Sequence, residues 1–177
     1  MLLNNKIKIL SIKLGTKNLT VAVLSDSDLI YWGNKFIRNG KLPEKIILKK
    51  AQNIVSQLIV FYQPKLIVVE KFSHPQTQKH RLLKAIGRET KKTARRYKLK
   101  VGIFSSHEAR EFICRTEKPT KLNAAKIISG CYPWLSKIYE KEKNKPWFKA
   151  KPKLRIFDAI ALGLYCLYKK TNHKKQT

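Results

Sequence analysis

Hydrophobic and polar residues alternate near the start of the chain, over residues 6–14, with Leu10 and Ile12 on one face. A period of two predicts a half-buried β-strand. Two further runs rich in β-branched and aromatic residues follow at 19–24 and 29–37, and the connections between the three runs are short. Consecutive strands joined by short turns predict an antiparallel meander.

The pattern then changes to alternating helices and strands. Apolar residues recur at helical spacing from Pro43, a residue suited to the first turn, until Pro64 ends the helix. The continuous apolar run at 66–69 predicts a strand buried on both faces. A second helix over 77–97 and a second short buried strand over 101–104 continue the alternation.

The last part of the chain is predicted to be helical. Ser105 and Glu108 have the spacing of a capping box, which opens a helix that runs through Cys114. Thr120 is placed to cap the next helix, through 128, and a final helix covers roughly 154–168. The order β-β-β-α-β-α-β-α, followed by more helices, predicts an α/β fold with a mixed sheet covered by helices on both faces.

Composition adds a strong charge to this picture. The chain has 39 Lys and Arg against 11 Asp and Glu, a formal net charge of +28, with 43% hydrophobic residues. The hydrophobic content indicates a folded chain and excludes a disordered basic tail. A polyanion would neutralise the field, and phosphate backbones also release counterions. An AT-rich genome explains Lys in place of Arg but not so few acids, which favours nucleic-acid binding over a lysine-rich enzyme.

Length and cysteine usage limit the class of protein further. The 177 residues suit one domain, expected over 1–170, with 171–177 as a basic C-terminal tail. Three cysteines without short spacing fit neither a disulfide framework nor a zinc site, so each is expected to pack as a reduced thiol. No signal-peptide pattern or membrane-spanning run is visible, so we expect no membrane partner and an intracellular, reducing location (the cytoplasm or nucleoid, or an organelle).

Two basic segments are candidate nucleic-acid-binding surfaces. In 79–100, apolar residues ending at Tyr97 fall on one helical side and cations on the other. Solvated helices usually mix charges of both signs, and a membrane-surface role is disfavoured because the apolar side is needed to cover the sheet. The predicted binding residues here are Lys79, Arg81, Lys84, Arg88, Lys91, Lys92 and Arg95.

The second basic segment, 141–155, has the character of a loop. Trp147 and Phe148 interrupt its lysines, and such aromatics either stack on unpaired bases or anchor a loop to its domain. Trp134, outside this segment, is expected in the core. The candidate binding residues of the second segment are Lys149, Lys151 and Lys153.

Three short motifs lie in order along the chain: 9–18 (ILSIKLGTKN), 67–70 (IVVE) and 158–162 (DAIAL). They resemble, respectively, the first strand and turn, the fourth strand and the last helix of the RNase H-like superfamily, and within it the RuvC-type Holliday-junction resolvases. The ending GTKN is also similar to mitochondrial and poxviral resolvases. The resemblance covers nearly the whole chain and implies an RNase H-like (RuvC-like) mixed sheet.

The resemblance also implies a catalytic site in which four carboxylates hold two divalent cations. The matching positions here are Lys13, Glu70, Arg155 and Asp158, so two acids are replaced by bases, which cannot ligate Mg²⁺. Lys13 and Glu70 lie at the ends of strands that are neighbours in the family's sheet, where they could pair. Arg155 and Asp158 are three apart on one helix, a spacing that allows an ion pair. We therefore predict a degenerate site with Glu70 and Asp158 as catalytic remnants.

Three functions remain open at this point. The first is a nucleic-acid-binding protein that has lost cleavage and needs no cofactor. The second is an active endonuclease using Mg²⁺ or Mn²⁺, whose metal is held by Glu70 and Asp158 with a displaced ligand from Glu89, Glu108 or Glu111. The third is a structural basic subunit of a ribonucleoprotein or nucleoid assembly. Branched or structured DNA is the first expected partner, RNA is a second, and a homodimer or larger nucleoprotein assembly stays open.

Overall fold

The computed structural model describes residues 6–38, 40–71, 78–146, 149 and 151–173, with the backbone alone at 78, 79 and 173. Strands and helices alternate after an opening run of three strands. The strands are β1 (Lys8–Lys13), β2 (Asn18–Ser25), β3 (Asp28–Phe36), β4 (Leu66–Glu70) and β5 (Lys100–Phe104). The α-helices are α1 (Glu44–Tyr62), α2 (Gln78–Arg96), α3 (Ser106–Cys114), α4 (Lys121–Cys131), α5 (Ser136–Lys143) and α6 (Arg155–His173), with 3-10 turns at Pro133–Leu135 and Pro152–Leu154.

The five strands form one mixed sheet in the order β3-β2-β1-β4-β5. β1 pairs antiparallel with β2 and β2 with β3, which confirms the predicted meander. β1 pairs in parallel with β4, and β4 with β5, as helical connections between strands require. The α/β mixed sheet predicted from the sequence is confirmed.

Helices cover both faces of the sheet, so the molecule has two apolar cores. On one face α1 and α2 pack against Leu10 and Ile12 of β1 and the facing residues of the neighbouring strands. On the other face α6, with α3 and α4 beside it, packs against Ile9. Ser11, also on that face, donates a hydrogen bond from its hydroxyl to the carbonyl of Ala159 in α6 at 2.6 Å. β1 is therefore covered by helices on both of its faces.

The helix caps follow the predicted chemistry. The Ser105 hydroxyl accepts from the Glu108 N–H while the Glu108 carboxylate accepts from the Ser105 N–H, so both bonds of the capping box are present. Thr120 caps α4, which extends to Cys131, beyond the predicted end at 128. The final helix continues to His173, past the expected start of the tail at 171.

Several sequence-based expectations differ from the structure. The segment predicted as a basic loop, 141–155, includes the end of α5 and a 3-10 turn. Tyr97 is 42% exposed because α2 ends at Arg96, and the ring then no longer follows the apolar stripe. Trp134 is 59% exposed instead of buried, since it stands in a 3-10 turn between α4 and α5. Cys131, the last residue of α4, is exposed rather than packed. None of the described helices is long and apolar enough to cross a membrane.

Candidate nucleic-acid interface

The centre of the site forms where β1 and β4 end side by side. Their parallel register pairs Ile12 with Val69, so the next residues, Lys13 and Glu70, lie next to each other. The Lys13 ammonium donates to Glu70 Oε1 and lies 3.3 Å from Asp158 Oδ2 of α6. All three side chains are largely buried, with 11% of Lys13, 6% of Glu70 and 1% of Asp158 exposed. The predicted Lys13–Glu70 pair is confirmed, and Lys13 bridges both acids.

Two residues of α3 complete this centre, and sequence reasoning missed both. The Ser106 hydroxyl accepts from Lys13 Nζ at 2.9 Å and donates to Glu70 Oε1. Arg110 Nη1 lies 3.6 Å from Asp158 Oδ1. Ser106 and Arg110 are four apart and share one helix face. The capping box already placed the start of α3 after β5, a strand beside β4, so this face was identifiable as a candidate.

Arg155 occupies its predicted place near the centre but not with its predicted partner. Its Nη2 donates to the carbonyl of Leu14 at 2.7 Å, whereas Asp158 is held by Lys13 and Arg110, so the proposed Arg155–Asp158 ion pair is wrong. The guanidinium lies close to Gly15, where an added Cβ would be 2.5 Å from Nη2. Burial lowers the pKa of Arg155, against the opposing influence of the two carboxylates.

The charge of the centre is unsuited to a divalent cation. Lys13, Arg110 and Arg155 carry three positive charges against the two negative charges of Glu70 and Asp158. Mg²⁺ and Mn²⁺ require several hard oxygen ligands, and a resident ammonium between the two carboxylates competes for those oxygens. Within the described part of the chain, no group of three or more His, Cys, Asp or Glu is placed to hold a metal.

The acids considered as displaced metal ligands serve other purposes. Glu108 caps α3, and the Ser105 backbone hydrogen bond, followed by the Ser105 hydroxyl, lowers its pKa. Glu111 is exposed, 3.3 Å from His107 one turn earlier. Glu89 lies 3.9 Å from Arg96 on the same helix. Among the described residues, none of the three acids makes a hydrogen bond or ion pair with Lys13, Glu70 or Asp158.

A cavity of about 530 Å³ opens beside this centre, between the sheet edge and α2, and we call it the central cleft. Gly87 allows α2 to approach Leu14, the residue after β1, because an added Cβ would meet Leu14 Cδ1 at 2.9 Å. Glu70 forms part of the wall. Lys71, which sequence reasoning did not select, joins four of the predicted cations in the lining: Arg81, Lys84, Arg88 and Lys91.

The remaining predicted cations are placed differently. Lys92 and Arg95 are exposed on α2 but do not line the central cleft, and the Lys79 side chain lies outside the described part of the structure. In the second basic segment, Lys149 and Lys153 are exposed and Lys151 Nζ donates to the Lys143 carbonyl at 3.4 Å. None of these three lysines lines the central cleft.

One ion pair changes the interpretation of the second segment. Glu142, fully buried, pairs with Lys145, so part of the segment's charge is neutralised internally. Trp147 and Phe148 lie outside the described residues, so the choice between stacking and anchoring stays open. The structure therefore places four cations of α2 in the cleft beside the Lys13 centre, and from the second segment Arg155 reaches the centre itself.

The fold is that of known junction resolvases. The structure superposes on Thermus thermophilus RuvC with a TM-score of 0.71 at 13% identity, covering 94% of this chain and 97% of that chain. T. thermophilus RuvC in complex with a Holliday junction substrate gives 0.70 at 15% identity over 93% and 96%. The yeast mitochondrial Holliday junction resolvase Ydc2 gives 0.64 at 15% identity over 97% and 84%. No protein-family profile and no curated protein matches the sequence. The chain therefore has the RuvC-like RNase H fold.

Proposed function

We propose that this chain binds structured or branched DNA through its phosphates along the central cleft, and that its centre has lost metal-dependent cleavage. The observation that carries the proposal is the Lys13 ammonium, which lies between the Glu70 and Asp158 carboxylates. That position places a fixed positive charge where the two acids would otherwise attract a cation. A buried ammonium supplies charge but does not generate a hydroxide nucleophile, as a metal-bound water does.

Five cations in the cleft wall support phosphate binding. Lys71, Arg81, Lys84, Arg88 and Lys91 face two acids, Glu44 and Glu70, and Glu70 is already paired with Lys13. Lys and Arg bind phosphates regardless of base sequence, so the chain is expected to recognise the form of the nucleic acid more than its bases. The solved RuvC complex with a Holliday junction makes branched DNA the first substrate class to test.

Binding is tested by charge reversal on α2. The triple variant Lys84→Glu, Arg88→Glu, Lys91→Glu reverses three cations of the cleft wall and should lower the affinity for a labelled four-way junction by about a hundredfold. A matched triple reversal at Lys45, Lys49 and Lys50, all exposed on α1, changes the net charge equally. If the two variants bind the junction equally well, overall charge rather than this face explains binding, and the assignment of the face is wrong. Duplex, single-stranded DNA and RNA in the same titration identify the preferred partner.

An active metal-dependent endonuclease with a rearranged site is the second candidate. One observation favours it: Glu44, at the start of α1, lines the same cavity as Glu70. Glu70 Oε2 is also buried with no hydrogen-bond partner among the described residues. Junction cleavage would be measured with Mg²⁺, Mn²⁺ or EDTA. Cutting that requires metal and disappears in both Glu70→Gln and Glu44→Gln would establish this candidate and refute the loss of cleavage; binding without cutting in any metal supports the first proposal.

A further inference from the structure

A second cavity continues the central cleft away from the Lys13 centre. It measures about 570 Å³ and shares two lining residues, Glu44 and Arg81, with the central cleft. The other polar residues in its wall are Thr16, from the turn between β1 and β2, and Arg38, from the connection between β3 and α1. Because these two lining residues are shared, the two cavities adjoin, and we treat them as one groove that runs beside α2 from Arg81 to Lys91.

The backbone of Arg38 is fixed by hydrogen bonds, and its side chain has a donor with no partner among the described residues. The N–H groups of Ile37 and Arg38 both bond the Lys17 carbonyl, at 2.9 and 3.3 Å, which fixes this connection to the β1–β2 turn. Its side-chain Nε is buried and has no hydrogen-bond partner among the described residues. Burying a donor without a partner is unfavourable, and an acceptor bound to the Arg38 side chain in this cavity would relieve that cost.

The chemistry of this wall selects an anion. Two guanidiniums, Arg38 and Arg81, face a single carboxylate, Glu44, and the Thr16 hydroxyl adds a neutral donor. Guanidinium groups bind phosphate oxygens in pairs of parallel hydrogen bonds. The rest of the wall is apolar, formed by Leu42, Ile47 and Leu82, and a lower local dielectric strengthens such bonds.

We propose that Arg38, Thr16 and Arg81 form a phosphate subsite for a nucleic-acid backbone that extends out of the central cleft. This inference rests on the proposed function, since the ligand is the flank of the same DNA. The subsite extends the binding surface from α2 to the β1–β2 turn and the β3–α1 connection. It thereby lengthens the stretch of backbone that the protein contacts beside the centre.

The first test compares two arginine variants that remove equal charge. Arg38→Gln removes the proposed contact, whereas Arg115→Gln removes an exposed arginine that lines neither cavity. Affinity for one labelled junction would be measured across a salt series. Arg38→Gln should weaken binding about tenfold. It should also make the negative slope of log K against log salt shallower by about 0.9, the value for one phosphate contact. Arg115→Gln should leave the slope unchanged, and equal behaviour of the two variants would overturn the subsite.

A second measurement locates the contact on the DNA. Neutral methylphosphonates would replace single phosphates along each arm of the junction. One position should weaken binding by wild-type protein about tenfold but have little effect on Arg38→Gln, because the same contact cannot be lost twice. Thr16→Val, which removes one hydroxyl at similar volume, should weaken binding at the same position and carries the test if Arg38→Gln does not fold. If no phosphate position couples to either variant, the subsite is wrong.

The outcomes separate this inference from the proposed function. If the α2 triple reversal abolishes binding but Arg38→Gln matches Arg115→Gln, only the extended subsite fails. If the α2 triple reversal binds as well as its α1 control, the proposed function fails and the subsite fails with it.

Discussion

Replacing Lys13 by methionine should destabilise the protein strongly, because it removes the ammonium between two buried carboxylates. Glu70 and Asp158 are 6% and 1% exposed, and among the described residues Asp158 has a second ion-pair partner, Arg110, at 3.6 Å. Removing one partner of a buried ion pair costs about 3–5 kcal/mol. For a domain of this size each kcal/mol lowers the melting temperature by about 2–4 °C, so a fall of about 10 °C is expected.

Urea and thermal unfolding followed by circular dichroism would measure this cost. Lys8→Met is the matched control, because Lys8 stands in the same strand but is exposed, and a surface change is expected to stay within about 0.5 kcal/mol. The double variant Lys13→Met, Glu70→Gln should recover at least half of the loss, since one of the unpaired charges is then gone. A cost below about 1 kcal/mol for Lys13→Met, or no recovery in the double variant, would refute the view that Lys13 holds the two acids together.

Three further predictions concern packing, capping and thiol reactivity. Gly15→Ala should destabilise the protein by about 1–3 kcal/mol, because the new methyl meets the Arg155 guanidinium and the Asn18 carbonyl. Gly130→Ala, where an added Cβ meets no atom within 4 Å, should stabilise it by up to about 1 kcal/mol, and the midpoints of urea unfolding compare the two variants. Ser105→Ala should cost about 1 kcal/mol at neutral pH. The pKa of Glu108 is lowered, so the stability that its carboxylate adds to the cap is present above the ordinary carboxyl pKa and is lost as the pH falls through the lowered pKa. The loss of unfolding free energy caused by Ser105→Ala should therefore be smaller in melts at acid pH. Iodoacetamide at pH 8 should modify Cys131 in the native protein and spare the two buried cysteines, a difference that mass spectrometry of the alkylated chain detects.

Local patterns were sufficient to predict much of the fold. Alternation in β1, the helical stripe of α1 and the capping box at Ser105 each depend on neighbours a few residues apart, and the structure has all three elements. Burial was predicted less well at the ends of elements. Trp134 and Tyr97 are apolar by type, but they fall where a helix has just ended or a 3-10 turn begins, and no periodic pattern specifies their direction there.

The candidate site was predicted only in part, for a different physical reason. The Lys13–Glu70 pair follows from two strand ends in a parallel sheet, so motif order was sufficient to find it. Arg110 reaches Asp158 only through the packing of α3 on α6, a tertiary contact that leaves no mark in the spacing of residues. The second cavity similarly depends on the β3–α1 connection and α2 lying on opposite sides of it, a tertiary arrangement that residue spacing does not specify.

The position of α6 at the end of the described chain has a consequence for folding during synthesis. The hydrogen bond from Ser11 to Ala159 joins residues 148 positions apart, and α6 packs on one face of β1 and β2. Until that helix leaves the ribosome, the growing chain carries an apolar sheet face with no cover, the kind of surface through which incomplete chains aggregate. The basic charge, +28 over the full sequence, keeps such chains apart by repulsion. The excess of basic residues that suits a polyanion thus also opposes association between unfinished copies of the chain.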